Sequence, residues 1–214
     1  MHDATGRRAR RPRLTALAAF TALLSLAACD VLPEGGTLPA AAEPVPARVD
    51  SILPIEEELH RFRAALPDTV TALAGGATSI DALVVGFLKA LEARDASALG
   101  ELVLMPAEFA WLYYPHTRFT ARPYELSPAV VWFQLENYGS RGLNRALLRY
   151  GGRILDHAGH RCPVAAEVEG DNRIWSGCVI RHVGEAGDTA DLSLFGGIIE
   201  RDGRFKFINY ANRL

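Results

Sequence analysis

The stretch GGIIERDGRFKFINYAN, residues 196–212, decides the fold class. Two runs rich in apolar residues flank Asp202-Gly203, and an Asp-Gly pair in that setting is a strong signal of a two-residue β-hairpin loop. Upstream, from His160 onward, apolar residues alternate and the connections stay short, which favours antiparallel strands. The sequence EGDN, residues 169–172, supplies an earlier turn. The second half of the chain is therefore predicted to form an antiparallel sheet.

The first half has a helical period. Apolar residues recur every three or four positions in residues 53–66 and 81–94, so each segment is predicted to be an amphipathic helix. Candidate N-caps stand at the start of four helical segments: Ser79 or Thr78, Asp95, Ser127 and Ser140. Helices followed by a run of strands predict an α+β domain, with the helices on one face of the antiparallel sheet.

Cys162 and Cys178 lie in the strand-rich half. If the first hairpin turns near Gly170, these two cysteines are opposite neighbours, and their shared parity places both side chains on one face of the sheet. A disulfide is then expected in an oxidising compartment. Two buried free thiols are one alternative, and a thiol nucleophile is another, although the sequence marks no base beside it.

The N-terminal segment has the composition of an export signal. Five arginines fall within the first thirteen residues, and LTALAAFTALLSLAA, residues 14–28, carries no charge. A basic region followed by a short apolar run is typical of a secretory signal peptide, and the run is shorter than the about 20 residues of a membrane-spanning helix. Leu26-Ala27-Ala28-Cys29 resembles the bacterial lipobox, in which cleavage precedes the cysteine and its thiol receives a diacylglycerol.

Cys29 is therefore the expected lipid attachment site of a bacterial envelope protein whose domain lies on the periplasmic side. Two alternatives stay open, a cleaved signal followed by an unrelated cysteine and a tilted membrane span. The choice between the inner and the outer membrane also stays open.

Three regions follow from this interpretation. Residues 1–28 are the signal peptide, residues 29–50 form a tether rich in Pro and Ala, and residues 51–214 form a single domain long enough to bury a core. Without residues 1–28, 18 of the 23 basic and 24 of the 25 acidic residues remain, a net charge of −6. An acidic chain without an evident basic cluster is a poor nucleic-acid binder, so no nucleic-acid partner is expected.

The segment LKALEARDASALGELV, residues 88–103, followed by helices and by strands that end in GGIIERDGRFKFINYAN, is similar to the nuclear transport factor 2-like superfamily, which includes SnoaL-like cyclases and ketosteroid isomerase. The resemblance covers roughly residues 79–214. It implies a curved antiparallel sheet that wraps around helices as a cone, with a cavity used for catalysis or for binding. The catalytic Asp, Tyr and His motifs of the superfamily have no match in this sequence, and the helical stretch between about residues 105 and 150 departs from its compact pattern.

The segment EFAWLYYPHTRFTARPYEL, residues 108–126, concentrates aromatic side chains beside a few polar groups, as apolar ligand pockets and packed cores both do. Glu108 and His116 are weak candidates for a catalytic acid and base. Trp111, Tyr114 and His116 are the residues expected to contact an apolar ligand. Trp175, on the strand face opposite Cys178, is expected either to line the same cavity or to cover a helix. No metal or other cofactor is expected.

The leading hypothesis is a lipid-anchored domain that binds a small apolar ligand or an envelope protein. An isomerase, cyclase or hydrolase that uses Glu108 and His116 is the second. A structural envelope protein without a ligand is the third.

Overall fold

In the computed structural model, the helices come first along the chain and the strands follow. The structure describes residues 53–67, 69–184 and 186–214, so Cys29, the signal peptide and the tether lie outside the described residues. The helices are α1 (Ile55–Ala64), α2 (Ile80–Ala93), α3 (Ala96–Glu101), α4 (Pro106–Glu108) and α5 (Pro128–Tyr150). A π-helical turn, Phe109–Tyr113, extends α4, and two 3₁₀ turns, Tyr114–His116 and Arg118–Thr120, follow it.

The strands are β1 (His157–Arg161), β2 (Glu167–Glu169), β3 (Asn172–Trp175), β4 (Val179–Val183), β5 (Thr189–Leu192), β6 (Ile198–Arg201) and β7 (Arg204–Phe207). They form two antiparallel sheets in the described residues, one of order β1-β4-β5 and one of order β2-β3-β6-β7. Helices in the first half and antiparallel strands in the second confirm the predicted α+β class.

Local sequence signals begin three of the helices where they were expected. The side chains of Ser79, Asp95 and Ser127 each accept a hydrogen bond from the amide three residues on, at 3.1, 3.0 and 3.4 Å. The prediction that Ser140 begins a separate helix is wrong, because α5 runs without a break past this residue. Gly139 just before it is buried against Asn209, so packing on the C-terminal segment favours a continuous helix at this point.

The hairpin at Asp202-Gly203 is present, with both residues at positive φ, 51° and 75°, as a type I′ loop requires. The earlier turn also forms, because β2 pairs with β3 around Gly170. However, the long strands expected on either side of that turn are interrupted. The inner parts, β2 and β3, belong to the four-stranded sheet, and the outer parts, β1 and β4, belong to the three-stranded sheet.

The expected disulfide between Cys162 and Cys178 is present at this interruption, with the two Cα atoms 4.1 Å apart. Arg161 pairs with Val179 across β1 and β4, so the cysteines continue the register of those outer strands rather than that of the β2–β3 hairpin. The bridge joins residues sixteen apart in the chain. A covalent loop of this length stabilises a fold by about 3 kcal/mol in the chain-entropy model.

Aromatic side chains fill the space between α2 and the sheets. Phe87 is fully buried, and its ring lies 5.5 to 5.9 Å from the rings of Phe195, Phe207 and Tyr210. Helix α2 contacts β1 of one sheet and β7 of the other, so this cluster holds the two sheets together. A second cluster packs α1 and the π-helical turn against α5, with Phe109 between Phe62 and Trp132.

No helix among the described residues is both long enough and apolar enough to cross a bilayer.

Candidate functional site

An apolar cleft of about 310 Å³ opens between α3 and α5. Its floor is the segment after β7, residues 208–210, and the chain between α3 and α4 closes one end. Apolar atoms dominate the lining. Helix α3 contributes Ala96 and Gly100, the segment of residues 103–106 contributes Val103, Leu104, Met105 and Pro106, and α5 contributes Trp132, Leu135, Gly139 and Leu143. A volume of this size falls at the lower end of the range for small-molecule sites.

Glycine spacing on α5 determines where the floor of the cleft lies. A Cβ atom at Gly142 would overlap the backbone carbonyl of Tyr210, and one at Gly139 would lie 3.3 Å from the Cβ of Asn209. The helix therefore approaches the C-terminal segment more closely than any other residue type would allow. By contrast, a Cβ at Gly100 on the opposite wall would meet no atom within 4 Å. The absent side chain at Gly100 leaves part of the cleft open.

Few polar groups face the cleft, and the buried ones are already bonded. The Tyr210 hydroxyl donates to the Leu99 carbonyl at 2.6 Å, and burial raises the pKa of Tyr210. The Asn209 amide oxygen accepts from the Ala211 N–H at 3.2 Å. Glu136 and Ser140 are exposed at the mouth. The lining thus offers an apolar interior with one carboxylate and one hydroxyl at its rim, and no nucleophile paired with a base.

Glu108 does not reach this cleft as a free acid, because it forms a buried ion pair with Lys206. The two side chains are 2% and 0% exposed, and the Lys206 ammonium lies 3.1 and 2.9 Å from the two carboxylate oxygens. Backbone N–H groups of Ala74 and Met105 donate to the same oxygens at 2.7 and 2.8 Å. The lysine makes its third hydrogen bond to the Ala74 carbonyl, 2.9 Å away.

Four hydrogen bonds therefore occupy the Glu108 carboxylate, which joins the chain after α1, the start of α4 and strand β7. Lys206 was not among the residues predicted to have a role. The sequence RFKF could have indicated it, because side chains alternate between the two faces of a strand, so the lysine lies on the opposite face from both phenylalanine rings.

His116 lies away from Glu108's partners. It is exposed at the end of a 3₁₀ turn and packs on the β2–β3 loop, where a Cβ at Gly170 would collide with the imidazole ring. The expected acid and base are thus held by different contacts, one buried in an ion pair and the other on the surface.

The other residues expected to contact a ligand are also separated. Tyr114 is fully buried, its hydroxyl donates to the Leu126 carbonyl at 2.6 Å, and burial raises its pKa to about 12. The Trp111 indole is stacked under the Arg63 guanidinium, 3.9 Å from the ring centroid, beside a depression formed with α1. Trp175 packs on Phe205 of β7, with ring centroids 5.8 Å apart. None of these three lines the α3–α5 cleft.

A polar cluster at the end of the β2–β3 hairpin was not anticipated. Burial raises the pKa of the Glu169 carboxyl, with Glu167 adding to the effect and Arg118 opposing it. One of its oxygens, Oε2, is buried without a hydrogen-bond partner among the described residues. Burial, with the nearby Glu169 charge, also raises the pKa of Tyr113.

The described residues contain no group of three or more His, Cys, Asp or Glu side chains placed to hold a metal ion. No family model matches the sequence, and no curated protein or solved structure matches it either. The resemblance to the nuclear transport factor 2-like superfamily therefore stays a prediction.

Proposed function

We propose that this protein is a lipid-anchored component of a bacterial envelope whose domain binds one small apolar molecule in the α3–α5 cleft. The anchor is Cys29 of the lipobox, and the tether of residues 29–50 holds the domain on the periplasmic side of the membrane. The observation that supports binding is the cleft itself, an opening of about 310 Å³ walled by apolar side chains.

The lining favours a neutral or cationic amphiphile over an anionic one. No arginine, lysine or histidine lines the cleft, and the single charged residue there is Glu136 at the mouth. An apolar chain would lie against Leu135, Leu143 and Trp132, and a hydroxyl or ammonium head would meet Glu136 and Ser140. A carboxylate head would meet the Glu136 charge without a compensating cation, which disfavours fatty acids.

A ligand titration with three twelve-carbon probes tests this proposal: dodecanol, dodecylamine and dodecanoate. We expect the first two to change tryptophan fluorescence and raise the melting temperature, and dodecanoate to bind more weakly. At a probe concentration one hundred times Kd, stabilisation reaches about 2.7 kcal/mol. Trp132 lines the cleft whereas Trp111 and Trp175 do not, so Trp132→Phe should remove the fluorescence change and retain the thermal shift.

Gly100→Leu provides the blocking variant, because a side chain at this position enters open space in the cleft. Ser97→Leu places the same leucine side chain at an exposed position of the same helix that does not line the cleft. We expect Gly100→Leu to abolish the thermal shift and Ser97→Leu to retain it. Equal binding by both variants, or no binding of any probe by the wild-type protein, would exclude the cleft as the ligand site.

The enzyme hypothesis gains no support from the geometry. Glu108 is saturated by Lys206 and two backbone amides, and His116 is exposed on another part of the domain. Docking of the domain surface on an envelope partner is compatible with ligand binding in the cleft, since docking and ligand binding would use different residues.

A further inference from the structure

Four arginines follow one another at intervals of four residues: Arg141, Arg145 and Arg149 on α5, and Arg153 just after the helix ends. No acidic residue occurs from residue 137 to residue 155, although residues 29–214 carry a net charge of −6. All four arginines are exposed, and none forms an ion pair within the described residues. Residues four apart share one side of a helix, so α5 gathers the charges of Arg141, Arg145 and Arg149 on one side.

Apolar side chains lie among these arginines. Tyr138 and Leu148 are 58% and 84% exposed. At 3.6 residues per turn, residues 138, 141, 145, 148 and 149 fall within about 100° of the helix circumference. We call this surface, residues 138, 141, 145, 148 and 149, the basic face of α5.

Contacts within the domain do not account for this pattern. Like charges at spacings of four destabilise a helix, and only Arg149 lies in the last turn, where a cation complements the helix dipole. Among the described residues, Arg145 donates to the side-chain and backbone oxygens of Asn212 at 3.1 and 3.0 Å, and the Arg149 guanidinium lies 5.5 Å from the Tyr150 ring centroid.

The surroundings add one more cation, because Arg94 donates to the Gly151 carbonyl at 2.9 Å beside the end of α5. The nearest acids in the chain, Glu136 and Asp156, flank the arginine series at its two ends. Within the described residues, no carboxylate lies within ion-pair distance of Arg141, Arg145 or Arg149.

We propose that the basic face of α5 docks on an anionic phospholipid surface. Guanidinium groups pair with lipid phosphates, a tyrosine suits the interface, and the exposed Leu148 side chain enters the edge of the acyl region. This combination of arginines with apolar side chains favours a membrane over a nucleic acid, whose backbone offers no apolar phase. The residues of the basic face do not line the cleft, so this docking and ligand binding can fail independently.

The proposed anchor places the domain within reach of such a surface. The twenty-one residues 30–50 could span at most about 75 Å when fully extended, so the membrane that holds the anchor stays within that distance of the start of the domain. Docking through α5 would fix one orientation of a domain that the lipid alone leaves free to rotate.

A fluorophore on the basic face tests the docking. The full chain carries Cys29→Ser and Leu148→Cys, which leaves one free thiol because Cys162 and Cys178 are bonded. That thiol is labelled with an environment-sensitive nitrobenzoxadiazole. Vesicles of phosphatidylcholine, alone or mixed with phosphatidylglycerol, are floated with bound protein, and emission is measured in the floated fraction. Because only bound protein floats, the emission reports how the bound chains are oriented and does not depend on how much the N-terminal segment contributes to binding.

We expect blue-shifted emission on the mixed vesicles alone, and its reversal by high salt. Arg141→Gln/Arg149→Gln should lower the ratio of docked to undocked label about thirtyfold, equivalent to about 2 kcal/mol at 1.4 kcal/mol per factor of ten. The matched control, Arg173→Gln/Arg204→Gln, removes two exposed arginines from the strands and should change nothing. A label at Val168→Cys on β2 should show the same emission on bound vesicles as it shows in water.

Equal emission on neutral and anionic vesicles, an unchanged signal in Arg141→Gln/Arg149→Gln, or an equal response at positions 148 and 168 would overturn the proposal. A response of the position 148 label to duplex DNA but not to mixed vesicles would also overturn it and assign the surface to nucleic acid.

Discussion

Substitution of Glu108 by glutamine tests whether the buried ion pair holds three segments together. The variant keeps the size of the side chain and removes its charge, so the Lys206 ammonium is left at 0% exposure beside a neutral amide. It also leaves one carbonyl oxygen for the N–H groups of Ala74 and Met105, which now donate to separate carboxylate oxygens at 2.7 and 2.8 Å. Both changes leave a buried donor without its acceptor.

Removal of one partner from a buried ion pair destabilises a protein by about 3–5 kcal/mol. A domain of this size loses about 2–4 °C of melting temperature per kcal/mol, so Glu108→Gln is expected to melt about 6–20 °C lower. The double variant Glu108→Gln/Lys206→Met removes the unpaired cation as well. Its loss should therefore be smaller than the sum of the single losses, by up to about 3 kcal/mol.

Urea unfolding of the wild-type protein, both single variants and the double variant, followed by tryptophan fluorescence, measures the four free energies. A loss below about 1 kcal/mol for Glu108→Gln, or a double variant that loses the full sum, would refute a structural role for the pair. Normal stability in Glu108→Gln would also return this residue to the candidates for catalysis.

Two further predictions concern packing and charge. Gly142→Ala is expected to lower the free energy of unfolding by about 1–3 kcal/mol, because its Cβ would overlap the Tyr210 carbonyl. Gly100→Ala should raise the free energy of unfolding by about 0.5–1 kcal/mol, because its Cβ would meet no atom within 4 Å. Urea unfolding of both variants measures the two changes, and changes of the same sign would contradict this prediction. Glu169→Gln is expected to raise the melting temperature at pH 7 by a few degrees at most. Burial raises the folded-state pKa of Glu169, so its ionised form destabilises the fold above that pKa, and the destabilisation disappears as the pH falls towards the unfolded value. Melting curves of the variant and the wild type at pH 4 and pH 7 check the sign. A melting-temperature difference, variant minus wild type, that is smaller at pH 7 than at pH 4 would contradict the prediction.

Local chemistry in the sequence determined the class of the fold. The caps at Ser79, Asp95 and Ser127 and the loop at Asp202-Gly203 depend on hydrogen bonds and dihedral angles within a few residues, so their signals are complete in the local sequence. The disulfide between Cys162 and Cys178 was also predicted from spacing around Gly170, although the register that brings the two cysteines together is that of β1 and β4 and not that of the hairpin.

Long-range packing decided what local patterns left open. Ser140 looks like a helix start, yet α5 continues through it, because Gly139 and Gly142 let the helix lie on residues 209–210 far along the chain. The strands expected around Gly170 divide between two sheets for a similar reason, since β3 pairs with β6 and β4 with β5. Pro163 and Gly177, which has a positive φ of 69°, lie where the strands are interrupted, but they do not specify which strands pair with the separated parts.

The candidate sites show the same division. The sequence by itself determined which residues have reactive or aromatic side chains, but the partner of Glu108 is Lys206, ninety-eight positions away, and the walls of the cleft come from segments far apart in the chain. The expectation of a chain without a basic cluster did not take account of Arg141, Arg145 and Arg149, which stand four apart in the sequence and which the helix brings to one surface. Composition and local hydrogen bonding act over a few residues, whereas burial, charge pairing and cavities depend on which distant segments meet, and only the tertiary structure decides that.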